Sequence, residues 1–170
     1  MKSRWLKLGL CVCCAWALGA CVAGYGVEST YDQGIRTVAV DIFDNQTREV
    51  GIETQLSEAI IKEIQAHTPW RVTDGAIADT ILTGVIRSAD YRRLSRTRGI
   101  GLTQEGTFEM TVEFDFTRPD SSEVLVSRRA LRGMATFAPT RGTDERAEIG
   151  QRGAIQNVAR RIVDELRATW

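Results

Sequence analysis

The chain has 170 residues, 43% of them hydrophobic, with 22 basic and 22 acidic side chains and a formal net charge of zero. That length suits one domain with a real core, and the charge balance excludes a general nucleic-acid binder. Its 4 cysteines do not make a disulfide framework, because Cys11, Cys13 and Cys14 all lie in one hydrophobic stretch near the start, leaving Cys21 alone beyond it.

In chain order, Lys2, Arg4 and Lys7 precede an uncharged apolar run from Leu8 to Ala20 that ends on small residues. This is the layout of a secretory signal peptide, and the run is too short to span a bilayer as a helix. Leu18-Gly19-Ala20-Cys21 resembles the lipobox of bacterial lipoproteins. That resemblance implies a diacylglyceryl group on the Cys21 thiol, cleavage before it and acylation of the freed amine. Several acyl chains at one residue meet the requirement that stable anchoring needs more than a single lipid. Cys21 is then a tether, and the covalent lipid is the one prosthetic group expected; no cofactor and no thiolate metal site is implied. Loss of Lys2, Arg4 and Lys7 leaves 19 basic against 22 acidic residues in the mature chain. Residues 1–20 are thus expected to be the signal, 21–34 a lipidated N-terminus and glycine-rich leash, and 35–170 one domain.

Arg36 to Phe43 alternates Val38, Val40 and Ile42 with Thr37, Ala39 and Asp41, which predicts a strand, and Asp44-Asn45-Gln46-Thr47 predicts the turn that ends it. From about Val50 to His67, Ile52, Leu56, Ala59, Ile60 and Ile64 recur at helical spacing, and Pro69 ends that helix. Trp70 to Thr73 fits a brief strand. Asp79 to Tyr91 is expected to be a strand with both faces partly covered, in which Gly84 marks a bulge or a close backbone approach. Arg92 to Gly106 is polar and glycine-bearing and predicts a long hairpin loop. Phe108, Met110, Val112, Phe114 and Phe116 then alternate with Glu109, Thr111, Glu113, Asp115 and Thr117, the pattern of a strand with one packed and one wet face. Pro119 to Ser122 turns the chain into a strand from Glu123 to Arg132, with Val124 and Val126 expected on one face. Thr143 is placed to cap a final helix from about Asp144 to Ala168, striped by Ala154, Ile155, Val158, Ile162 and Leu166. Glu148 with Arg152, Arg160 with Asp164 and Arg161 with Glu165 stand four apart on its outer side. The sum is an α+β fold, two helices packed on one face of a four-stranded, mostly antiparallel mixed sheet.

Chemistry-bearing constellations are few. His67 falls at a helix C-terminus, where a cationic ring is favourable for local reasons. Gly99-Ile100-Gly101 lacks the strand-turn-helix context of a phosphate cradle, and no nucleophile elbow occurs. Glu109, Glu113 and Asp115 read as a solvated strand face. No catalytic set and no metal set is expected, so the chain is not read as an enzyme. The one chemical bias is arginine: Lys62 is the only lysine after the signal. Arg87, Arg92, Arg93, Arg96 and Arg98 crowd a strand end and the hairpin loop, with Arg128, Arg129 and Arg132 on a strand expected nearby. Guanidinium forks bind phosphate and carboxylate bidentately, so Arg92, Arg93, Arg96 and Arg98 are the candidate contacts for an anionic ligand, against the alternative of a merely solvated loop.

Several segments together resemble the LPS-assembly lipoprotein family LptE. They are the lipobox cysteine with Gly24-Tyr25 close behind it, Thr37-Val38-Ala39-Val40 running into Phe43-Asp44-Asn45-Gln46-Thr47, Gly51-Ile52-Glu53 opening a helix, Ala78 to Ile86, and a terminal helix. Gly24-Tyr25 stands two residues beyond Cys21 here instead of directly after it. The resemblance implies an outer-membrane lipoprotein facing the periplasm that plugs an LptD-like β-barrel and helps deliver lipopolysaccharide to the outer leaflet. A polar sheet face suits a wet barrel lumen, and arginines suit lipid phosphates. Val22, in place of the aspartate associated with inner-membrane retention, fits outer-membrane sorting by the rule of the lipoprotein class. The strand-turn-helix opening and the Ala-Asp-x-Ile-Leu-x-Gly segment also resemble lipoproteins that activate peptidoglycan synthases or form secretion pores, the competing expectation.

Overall fold

The computed structural model describes residues 34–96, 103–137 and 145–168. The signal, Cys21, most of the leash, Arg98, the Gly99 and Gly101 pair, Thr143 and Asp144 lie outside the described residues. Described elements run β1 (Thr37–Val40), β2 (Asp44–Asn45), α1 (Ile52–His67), β3 (Arg71–Val72), β4 (Thr80–Arg96), β5 (Thr103–Arg118), β6 (Glu123–Phe137) and α2 (Glu145–Ala168).

One sheet holds all six strands in the order β3-β1-β4-β5-β6, with β2 continuing the lane of β1 alongside β4. β1 and β2 pair parallel to β4, β3 pairs parallel to β1, and β4, β5 and β6 form an antiparallel meander. Both helices cover one face, and the α+β architecture is the one the hydrophobic periods demand. The strand count differs from four because two-residue strands need only two backbone partners and no apolar run. β3 is the brief strand at Trp70 to Thr73; β2 occupies the expected turn.

The core sits where the alternation put it. Phe108, Met110, Val112, Phe114 and Phe116 of β5 are fully buried against Ile52, Leu56, Ile60 and Ile64 of α1 and Val158, Ile162 and Leu166 of α2. The five side chains on β5 contribute about 1.5–3 kcal/mol each on burial.

Between β1 and β2 the lane breaks so that Phe43 turns into the core beneath Gly84. A Cβ at Gly84 would lie 2.6 Å from Phe43 Cδ1 and 2.6 Å from the Glu113 carbonyl oxygen, so the glycine is the close approach the sequence suggested. The break leaves backbone groups that the buried Ser57 of α1 takes up: Phe43 N–H donates to Ser57 Oγ at 3.4 Å, and Ser57 Oγ donates to the Asp41 carbonyl at 3.3 Å. An unpaired buried peptide group would cost more than the serine does.

Three expectations are corrected. Residues 92–106 are mostly strand: β4 runs on through Arg96 and pairs Arg92 with Thr107, Arg93 with Gly106 and Arg96 with Thr103. Among the described residues the last β5–β6 row is Gly106↔Phe137, and beyond it β4 and β5 pair with each other as a ribbon. Such pairing is made by backbone ladder hydrogen bonds, which a polar, glycine-bearing composition does not reveal. Second, Val124 and Val126 do not share a face. A register shift between Phe116 and Thr117 inserts Leu125, leaving Val126 buried and Val124 54% exposed. Third, on α2 Glu148 and Arg152 pair as expected, at 3.6 Å, but the helix is also tied to its neighbours. Arg160 reaches across to Glu63 of α1 at 3.7 Å, and Arg161 donates to the Arg132 carbonyl of β6. Glu165 accepts from Arg128 at 2.7 Å. These contacts tie α2 to α1 and β6, while Asp164 meets Arg167 on its own helix at 3.8 Å.

Candidate functional site

The sheet face turned away from the helices is the chemically distinct surface, and strand alternation builds it. Because Phe108 to Phe116 point at the helices, Glu109, Thr111, Glu113 and Asp115 point the other way. Each carboxylate there meets a guanidinium from a neighbouring strand. Glu113 pairs with Arg87 Nη2 at 2.7 Å, whose other nitrogen donates to Gln46 Oε1 at 2.6 Å. Asp115 pairs with Arg129 at 3.1 Å and accepts from Ser127 Oγ at 2.6 Å. Glu109 pairs with Arg92 Nε at 3.1 Å. The arginines partly cover the carboxylates, leaving the Glu109, Glu113 and Asp115 side chains at 18%, 21% and 31% exposure on a solvated face.

Electrostatics follow from those pairs. The hydrogen bond from Arg87 holds the Glu113 carboxyl below its ordinary range, and the same bond raises the Arg87 guanidinium. At the solvated surface these pairs are each of small value; their consequence is a face with polar groups matched within it.

The candidate arginines divide. Arg92 is exposed and tied to Glu109. Arg93 and Arg96 lie on the β4 side of the ribbon, opposite Gly106 and Thr103. Arg98 is outside the described residues. The strand bearing Arg128, Arg129 and Arg132 is separated from β4 by β5. Arg128 turns to the helix side to meet Glu165, and Arg129 is held by Asp115. Arg128 and Arg129 are therefore engaged elsewhere than at Arg92.

Sequence reasoning missed two polar knots. Asn45 donates to the Glu49 carbonyl and to Glu53 Oε2, both at 2.8 Å, and its Oδ1 accepts from Thr47 N and Thr47 Oγ1 at 2.9 and 2.8 Å. This ties β2 to the start of α1. The signal was present as an Asn-x-Thr turn sequence, but its helix partner Glu53 was not legible. Asp79 forms the second knot, at the chain entry, where its carboxylate accepts from two backbone N–H groups.

His67 is the last residue of α1 and sits 3.3 Å from Glu63. A shallow groove of about 400 Å³ runs between the helices over Ala59, Ile155 and Ala159. Among the described residues no group of three or more His, Cys, Asp or Glu is placed to hold a metal, and no described helix is long and apolar enough to cross a membrane.

Fold and surface define a two-layer α+β domain with one sheet face closed by helices and the other presenting matched charge. The chain belongs to the LptE lipopolysaccharide-assembly family, whose model matches residues 35–169. Its role lies in lipopolysaccharide assembly at the cell envelope. No curated protein shows significant sequence similarity to the chain. Among solved structures, a protein from Xanthomonas campestris is similar with TM-score 0.58 at 12% identity, covering 79% of this chain and 85% of that one. Rare lipoprotein B from Shewanella oneidensis is similar with TM-score 0.54 at 15% identity, covering 79% and 96%. The PelC dodecamer from Paraburkholderia phytofirmans gives TM-score 0.51 at 16% identity, covering 79% and 90%. At these identities the likeness is one of fold.

Proposed function

We propose that this protein is an outer-membrane lipoprotein, acylated at Cys21 and facing the periplasm, that sits as a non-catalytic plug within an LptD-type β-barrel and assists delivery of lipopolysaccharide to the outer leaflet. The observation that carries this reading is the helix-free sheet face, on which Glu109, Glu113 and Asp115 are each matched by an arginine. A face of that kind lies against a wet, polar barrel interior without leaving an uncompensated charge.

The layout supports the same reading. The chain enters beside Asp79 and the start of β4, whereas the arginine-bearing ribbon is at the far end of that strand. β4 has 17 residues, which at about 3.3 Å per residue is on the order of 55 Å. An anchor at Cys21 would then join the domain at one pole, with the ribbon at the opposite one. There Arg92, Arg93, Arg96 and Arg98 are the contacts for lipid phosphates, with phosphate competing against Glu109 for Arg92.

Purification of the intact lipoprotein from detergent-solubilised membranes tests the partner. Recovery of a large β-barrel protein supports the plug; recovery of a penicillin-binding protein in its place overturns it in favour of a peptidoglycan-synthase regulator. Reversing the charge of the four arginines is expected to weaken lipopolysaccharide binding in a salt-sensitive way, and unchanged binding removes them as the ligand site.

A further inference from the structure

On the helix-facing side of β6, the last three inward positions grow toward the ribbon as Gly133, Ala135 and Phe137, while the α2 residues they meet shrink as Val158, Gly153 and Gly150. A Cβ at Gly133 would strike Val158, one at Gly153 would lie 2.8 Å from Ala135 Cβ, and one at Gly150 would strike the Phe137 ring. Gly106, the register partner of Phe137, closes the other side: its Cβ would be 2.7 Å from Phe137 Cζ. The ring therefore occupies a slot between two glycines, one on the ribbon root and one on α2. Tyr91 stands edge-on to it at 6.1 Å and 88°, packs edge-on to Phe108 at 4.6 Å, and donates its hydroxyl to Gln151 of α2 at 3.3 Å.

We propose that Phe137 is a positioning residue: seated between Gly106 and Gly150, its ring fixes the direction in which the ribbon of residues 92–96 and 103–106 leaves the sheet. Its importance for function rests on the reading of Arg92, Arg93 and Arg96 as ligand contacts. Among the described residues, row Gly106↔Phe137 is the last at which β5 has neighbours on both sides. Past it, two strands have only each other, a marginal arrangement free to twist. Register shifts at Arg93/Ser95 and Ser95/Arg96 add local twist of their own. With no third strand beside it among the described residues, the ribbon takes its course from its root, where Phe137 and Tyr91 bridge β4, β5, β6 and α2.

The variants separate positioning from folding. Gly150→Ala fills the slot from the helix side while favouring the helix, and Phe137→Ala empties it; Phe137→Tyr keeps the ring. In amide hydrogen exchange on the full chain, the first two variants are expected to speed exchange at 93–96 and 103–106 at least tenfold, with α1 amides unchanged and Phe137→Tyr at the wild-type rate. Ribbon protection equal to wild type in both Gly150→Ala and Phe137→Ala overturns the proposal. Lipopolysaccharide binding on the same preparations forms the separate arm: a loosened ribbon with undiminished binding upholds the positioning and removes the arginine reading.

Discussion

Asp79 and Thr37 hold each other in both directions: the Asp79 carboxylate accepts from Thr37 N at 2.8 Å, and Asp79 N donates to Thr37 Oγ1 at 2.9 Å. The same carboxylate oxygen accepts from Arg36 N at 2.9 Å. These bonds fasten Arg36 and Thr37, just beyond the leash, to the start of β4, so tension on an anchor at Cys21 would be delivered to this knot.

The backbone bonds from Arg36, then those with Thr37, hold the Asp79 carboxyl below its ordinary value of 3.8. A depressed folded value means the stabilisation is fully present above the unfolded value and is lost as pH falls below 3.8 through the folded value. Urea denaturation is therefore expected to give flat stability near neutrality and a loss of stability in that acid window that is reduced in Asp79→Asn. Asp79→Ala is expected to cost about 1–2 kcal/mol at neutral pH, at the lower end of charged hydrogen bonds because the group stays hydrated.

Gly84→Ala sets a Cβ 2.6 Å from a backbone oxygen, that of Glu113, as well as from Phe43. A backbone atom yields less than a ring, so the expected loss is about 2–3 kcal/mol by chemical denaturation. Phe43→Leu in the same chain is expected to recover only part of it.

Asn45→Ala removes four hydrogen bonds from the junction of β2 and α1. The expected loss is about 2 kcal/mol. Asn45→Asp is expected to do no better, because it loses both donors and sets a carboxylate beside Glu53.

Gly51 precedes α1 at φ 80 with open space around its missing Cβ. Only conformation opposes a side chain there, so Gly51→Ala is expected to cost about 1 kcal/mol and Gly51→Asn less. A thermal melt distinguishes them.

What was legible in the sequence follows period and burial. The Phe108 to Phe116 alternation and the stripes of α1 and α2 were legible because core burial enforces them. Arg92 to Gly106 misled because a ribbon stabilised by backbone pairing leaves no apolar pattern, and polar, glycine-bearing composition then reads as loop. Val124 misled because a one-residue bulge inverts a strand's facing without altering its composition. The charge pairs were illegible for a different reason: Arg87 with Glu113 and Arg128 with Glu165 join residues far apart in sequence, so their meeting depends on register. The arginine bias was visible, but not its division between the helix side, the open face and the ribbon.

The central claim, that the helix-free face lies against a barrel wall, is tested most directly by photo-crosslinking in living cells from Asp90 and Met134, both exposed and on the open-face row that contains Glu109. The account predicts that both positions yield an adduct with an LptD-type barrel protein. Adducts with a peptidoglycan synthase instead, or barrel adducts from neither position in a lipoprotein present at normal levels, would contradict it.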